Sequence, residues 1–160
     1  MNTFADTNWL EALYFEPERQ DKVGQGRRAI VQRRMKNHSG PLIISHVVLL
    51  EARNVFGRLS GSPNPEQWQH LVSDFNGRIF VDTMNWDLLR RQTHQIFERF
   101  SHKAAIGTFD ATLIASAQLA GGRRILSFDE RLKAIATCLG LEVFPELASD
   151  GKAFLSQLKA

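Results

Sequence analysis

The sequence predicts an α/β protein, built on a short parallel sheet of four to five strands with helices on both faces. Two observations carry that reading. Short apolar runs such as Leu42-Ile43-Ile44 and Arg78-Ile79-Phe80-Val81 alternate with longer helical stretches, the pattern of parallel strands covered on both sides. The 160 residues contain no internal repeat, low-complexity tract or interdomain linker, so residues 1–160 read as one domain. A chain of that length can bury roughly 70% of its unfolded surface.

Taken in order, Asn2-Thr3-Phe4-Ala5-Asp6 is a buried strand ending in an acid, and Asn8 to Phe15 continues as an amphipathic helix. Pro17 through Asp21 breaks that helix, and a basic helix then runs to about His38, carrying Arg27, Arg28, Arg33, Arg34 and Lys36. Gly40-Pro41 is a turn before the strand Leu42–Ile44. Ser45 to Leu59 is helical, with Val48, Ala52, Val55 and Leu59 as its apolar stripe and Glu51 on the flank. A loop at Gly61–Pro65 precedes a helix to about Asp74. Asn76-Gly77 then turns into a third strand, Arg78–Val81. Trp86 to Phe100 is a helix, and Gly107-Thr108 opens the next, with Thr108 as its N-cap. Gly121-Gly122 stops that helix before a fourth strand, Arg124–Ser127. Asp129 opens another helix, Gly140 closes it, and Leu141–Phe144 forms a fifth strand ahead of a terminal helix.

Composition narrows the class. At 43% hydrophobic and 23% charged, the chain has the make-up of a soluble globular protein. No apolar run approaches a membrane span, and the N-terminus lacks a signal peptide's pattern. The single cysteine, Cys138, cannot form an internal disulfide, which fits a reducing cytoplasm. A net charge of +3 permits a polyanionic partner without arguing for one.

The chemistry is carried by acids. On the helix that begins near Thr108, Asp110 shares a face with Leu113, Ile114 and Ala117. A carboxylate on an apolar stripe is costly unless it is paired, hydrogen-bonded or bound to a metal. Asp6 lies at the carboxyl end of the first strand, Asp129 follows that of the fourth, and Glu51 lies two turns into the helix after the second. In open α/β sheets the site forms beyond the carboxyl ends of the strands, where strand order reverses. All four acids can converge there. Two carboxylates about 5 Å apart repel by roughly 3 kcal/mol at an effective dielectric of 20, and a hard divalent cation reverses that sign. Each acid has a plainer role open to it: Asp129 as a helix cap, Asp110 as a complement to a helix dipole, Asp6 in a turn, Glu51 paired with Arg58.

The segments Ala5-Asp6-Thr7-Asn8, Val48-Leu49-Leu50-Glu51-Ala52, Phe109-Asp110-Ala111-Thr112-Leu113-Ile114-Ala115 and Ser127-Phe128-Asp129 resemble the PIN domain, and more narrowly the VapC-type toxins of bacterial toxin–antitoxin pairs. The resemblance spans essentially the whole chain and implies an Mg²⁺- or Mn²⁺-dependent endoribonuclease. It implies that Asp6 and Asp110 are the principal metal ligands and that Glu51 and Asp129 complete the cluster, directly or through water. Asn8 and Ser127 are implied as polar supports, and an antitoxin and a homodimer as partners. With no base acting on the 2′-hydroxyl, hydrolysis should leave a 5′-phosphate and a 3′-hydroxyl. The competing reading is a non-catalytic PIN-like module that binds RNA or protein. The basic residues Arg27, Arg28, Arg33, Arg34 and Lys36 are candidate RNA contacts or a solvated face.

Other signals fall away. Gly24-Gln25-Gly26-Arg27-Arg28-Ala29 matches a loose dinucleotide fingerprint, but no apolar strand precedes it. A haloacid-dehalogenase-type phosphatase needs an aspartate where Asn8 stands. The histidines lack zinc spacing, and no nucleophile elbow or Walker loop is present. Trp9, Trp68 and Trp86 read as core or interface anchors.

Overall fold

A computed structural model describes residues 2–15, 22–58 and 65–160. The expected helix break at Pro17–Asp21 and the loop at 61–64 lie outside the described residues.

The described residues form five short strands, β1 (Thr3–Ala5), β2 (Leu42–Ile44), β3 (Ile79–Val81), β4 (Arg124–Leu126) and β5 (Glu142–Phe144). All neighbours pair parallel, in the order β3-β2-β1-β4-β5. Phe4 pairs with Ile43 on one side and Ile125 on the other, so the most apolar residues fill the sheet's centre. Such strands are stable only when helices cover them, and the chain supplies these between every pair.

The helices are α1 (Thr7–Tyr14), α2 (Lys22–Lys36), α3 (His46–Arg58), α4 (Pro65–Ser73), α5 (Trp86–Phe100), α6 (Thr108–Leu119), α7 (Glu130–Cys138) and α8 (Ser149–Lys159). From β1 the chain steps to β2 and β3 in one direction, then returns to place β4 on the far side of β1. Right-handed crossovers therefore put α1 to α4 on one face and α5 to α7 on the other. Within each face α1 touches α2, α3 and α4, and α6 touches α5 and α7, while α3 and α6 also meet each other. The reversal falls between β1 and β4.

Element order follows the sequence reading closely, with two departures. Thr108 does not cap α6. Thr108 is already the first helical residue, and the N-cap with extended dihedrals is Gly107, which has no side chain with which to cap. Of the tryptophans read as core or interface anchors, Trp9 is fully buried, whereas Trp86 is 66% exposed and so is not a core anchor. The Gly24–Ala29 run lies inside α2 rather than at a strand–helix turn, which removes the geometry a dinucleotide site requires.

Two adjacent glycines end α6 for different reasons. Gly121 takes φ +68, a left-handed conformation that stops the helix. At Gly122 the constraint is space: a Cβ would stand 2.9 Å from the Ala117 carbonyl oxygen and 3.0 Å from the Phe4 ring.

The terminal helix α8 is fastened at both ends. Lys133 of α7 is 1% exposed, and its Nζ reaches Glu130 Oε1 at 2.8 Å while donating to the Pro145 carbonyl at 3.1 Å. The other Glu130 oxygen accepts from the amide of Ala148, the N-cap of α8. At the far end Lys103 Nζ donates to the carbonyls of Leu158 and Ala160, both at 2.9 Å.

Candidate active site

The site grows from the carboxyl ends of β1 and β4, next to the reversal of strand order. The Asp6 amide donates to the Leu126 carbonyl at 3.0 Å, so the residue after β1 is held against the end of β4. Its side chain then turns outward as the N-cap of α1, with Oδ1 accepting from the Thr7 amide at 2.7 Å. The second oxygen, Oδ2, accepts from Ser127 Oγ, also at 2.7 Å.

Ser127 is fully buried and organises everything around it. While donating to Asp6, its hydroxyl oxygen accepts from the Asp129 amide at 3.0 Å and from Asn8 Nδ2 at 3.4 Å. Asn8 in turn accepts from the Phe128 amide at 3.1 Å, pinning the loop between β4 and α7 to the first turn of α1. Asp129 follows and caps α7, its Oδ1 accepting from the amides of Arg131 and Leu132. The plain capping role read from sequence is thus present at Asp129, and it leaves the second oxygen of that carboxylate free of the cap.

Asp110 reaches the same place from the other face of the sheet. It lies three positions after the N-cap Gly107, where an added Cβ would stand 3.3 Å from Asp110 Oδ2. It rides on a helix whose Ala111, Leu113, Ile114, Ala115, Ser116 and Ala117 are all buried, so its surroundings are more apolar than a single stripe. Glu51 comes from α3, which packs on α6.

Electrostatics ties the four together. Burial, followed by the charges of Asp129, Asp6 and Glu51, pushes the Asp110 carboxyl up to about 7. Burial also dominates at Asp6, where the Ser127 and Thr7 hydrogen bonds pull back down and Glu51 and Asp129 push up, leaving it at about 6. Glu51 and Asp129 thus act on both Asp6 and Asp110, and Asp110 feels Asp6 as well. Among the described residues no three His, Cys, Asp or Glu side chains stand close enough to make a ready-built metal cage. The donor set still fits Mg²⁺ or Mn²⁺: it is all oxygen, it carries excess negative charge, and Mg²⁺ is ordinarily held by one or two carboxylates with several waters retained.

The basic helix α2 docks on this loop by way of aromatics that the sequence reading did not connect to it. The Arg27 guanidinium lies 5.0 Å from the centroid of the Phe128 ring, and Arg34 lies 4.5 Å from that of Phe144. Trp9 stacks on Phe128 and meets Phe144 edge-on. Arg28 is also partly buried, while Arg33 and Lys36 are exposed. The spacing of Arg27 and Arg34, two turns apart on one helix face, was the available signal.

Comparison with known proteins gives one family and several similar folds. The sequence model of the PIN domain matches residues 4–137. No curated protein matches the sequence. Among solved structures, the chain is similar to VapC20 of Mycobacterium tuberculosis, a toxin that cleaves the sarcin–ricin loop. That match has 19% identity and TM-score 0.64, covering 83% of this chain and 94% of that one. VapBC2 from Rickettsia felis, bound to a promoter DNA fragment, matches at 15% identity and TM-score 0.61, covering 89% and 97%. FitAcB from Neisseria gonorrhoeae matches at 16% and 0.56, covering 89% and 96%.

Proposed function

This chain belongs to the PIN domain family, and from that premise we propose that it is an Mg²⁺- or Mn²⁺-dependent endoribonuclease, the toxin of a type II toxin–antitoxin pair. The observation that carries the reading is the placement of Asp6 and Asp129 at the reversal of strand order, joined through the Ser127 hydroxyl, with burial and then the charges of Glu51 and Asp129 raising both Asp6 and Asp110. Carboxylates so arranged repel one another, and a divalent cation turns that repulsion into binding. Likeness in fold to a toxin that cleaves RNA, and to VapBC and FitAB proteins, supports the toxin role and a cognate antitoxin partner. A homodimer and a cytoplasmic location belong to the same proposal. Among the described residues, no helix is long and apolar enough to cross a membrane.

Asp6 and Asp110 would hold the ion, with Glu51 and Asp129 contributing directly or through water. A cation bound there lowers the pKa of a water and stabilises charge on the phosphate and leaving oxygen. The residues of the chain do the rest. Ser127 fixes one Asp6 oxygen by its hydrogen bond, so that the carboxylate cannot swing. Asn8 holds the Phe128 amide and through it the position of Asp129. A carboxylate of the cluster takes the proton as the water oxygen bonds to phosphorus and the P–O3′ bond breaks. The products are a 5′-phosphate and a 3′-hydroxyl.

The test is cleavage of a structured RNA in Mn²⁺. We expect endonucleolytic products with those ends, no cleavage in EDTA, and at least a hundredfold loss in Asp110→Asn. Activity that survives EDTA, or that Asp110→Asn leaves at the wild-type rate, refutes the proposal. A module that only binds RNA or protein gives no Mn²⁺-dependent cleavage at all.

A further inference from the structure

Resting on the reading of the acid cluster as a ribonuclease site, we infer the way an RNA strand lies across it: the sugar–phosphate backbone on the Arg27 and Arg34 face of α2, and an unpaired base on the Phe109 ring.

The two rims of the cluster differ in chemistry. On one side stands α2, which packs on α1 and so belongs to the first face of the sheet. Of its cations, Arg27 and Arg34 are half-buried and seated over Phe128 and Phe144. Phe128 lies between Ser127 and Asp129, so the Arg27 guanidinium is stationed beside the acids without an ion pair to them. Stacking fixes the guanidinium plane while leaving its N–H edge available, which is the geometry for a phosphate oxygen. Arg33 and Lys36 are exposed and line a groove with Leu13 and Ala29 instead. A backbone strand passing over the cluster therefore meets Arg27 and Arg34, not those two.

On the other side stands the N-terminus of α6, on the opposite face. Phe109 precedes Asp110 and is 56% exposed, and Leu50, which precedes Glu51, is 70% exposed. Large apolar side chains directly before two acids of the cluster give nothing to the core. An aromatic face next to a phosphodiester-cleaving site is where an unstacked base can rest, which a duplex cannot offer. Cations on one rim and an aromatic on the other orient a single strand.

Binding of a fluorescein-labelled unstructured pyrimidine 12-mer RNA by the full chain tests this. Anisotropy is read in EDTA over a range of salt, so that the outcome does not depend on cleavage. We expect Arg27→Gln to weaken binding severalfold and to lower the salt slope by about 0.7, the share of one single-strand phosphate. Arg27→Lys should restore the slope, and Arg33→Gln should change neither quantity. Phe109→Ala should weaken binding by about fivefold or more with the slope unchanged. If Arg27 merely clamped α2, Arg27→Gln would lower the melting temperature and leave the slope intact, and the inference fails. It also fails if Arg33→Gln costs more than Arg27→Gln, or if Phe109→Ala leaves affinity unchanged, in which case the ring serves a protein partner. Failure of the nuclease reading is separately visible, as absence of Mn²⁺-dependent cleavage by a protein that binds the RNA in this manner.

Discussion

Asp110 is the residue at which geometry and stability can be set against each other without any substrate. In the metal-free protein Asp110 and Asp6 are held at about 7 and about 6, above the ordinary aspartate value of 3.8. The folded state then keeps protons that the unfolded chain has already released. Stability from this source is complete below the unfolded value and is lost as pH rises through 6 and 7. In EDTA, urea melts should therefore show stability rising as pH falls from 8 towards 5. Asp110→Asn, which keeps the shape and removes the charge, should be more stable than wild type at pH 8 by about 1 kcal/mol, after discounting for its partial exposure. A helix-dipole role makes the opposite forecast, a loss of roughly 0.3–1 kcal/mol. Destabilisation by both Asp6→Asn and Asp110→Asn would mean that the acids do not share one site. Ser127→Ala gives a second test at this scale. It removes the hydrogen bond that lowers Asp6, so the acidic limb of the pH–activity profile should move to higher pH. An unmoved limb would deny Ser127 that role.

At the scale of the element, Asp129 joins two tasks that substitution can separate. Asp129→Ala should cost about 1 kcal/mol through loss of the α7 cap, whereas Asp129→Asn should keep most of that stability. Both should lose activity if the charge serves the cluster, and an active Asp129→Asn would assign the residue to capping alone. At the end of α6, Gly122→Ala should destabilise by about 1–3 kcal/mol through crowding against Ala117 and Phe4. A neutral result would show that Phe4 can yield. Helices and strands were legible from sequence because periodicity and glycine punctuation are local: Trp86–Phe100 was read to the residue. The α6 cap was not, since Thr108 and Gly107 both suit a helix start and only the backbone dihedrals choose between them.

For the whole molecule, the site was legible to the extent that it depends on strand ends. Asp6 and Ser127 each lie one residue beyond a strand, and a parallel sheet brings such positions together automatically. What could not be read was long-range and side-chain-specific. Nothing local announces that Arg27 will stand over Phe128, a hundred residues on, or that Lys133 will be buried. The assembled charge also bears on silencing. A partner that inhibits by seating an Arg or Lys in the cluster should bind Asp6→Asn/Asp110→Asn more weakly than wild type, as titration calorimetry would measure. Equal affinity would place its contacts elsewhere.

The fastening of α8 has a consequence for how the molecule opens. The match to the family ends at residue 137, yet Glu130 holds the N-cap of α8, Lys133 holds the turn just ahead of it, and Lys103 grips its end. If α8 comes away together with the turn before it, the buried Lys133 ammonium loses the Pro145 and Glu146 carbonyls that now receive it, a penalty local unfolding seldom meets. Cooperativity is thereby extended past the boundary of the recognised domain: amide hydrogens of α8 should exchange with the same free energy as those of α7, in one unit. Lys133→Met should break the unit, so that α8 exchanges at a lower free energy while α7 keeps its protection. Free exchange of α8 in the wild-type chain would mean that the helix is an appendage and the grip is slack.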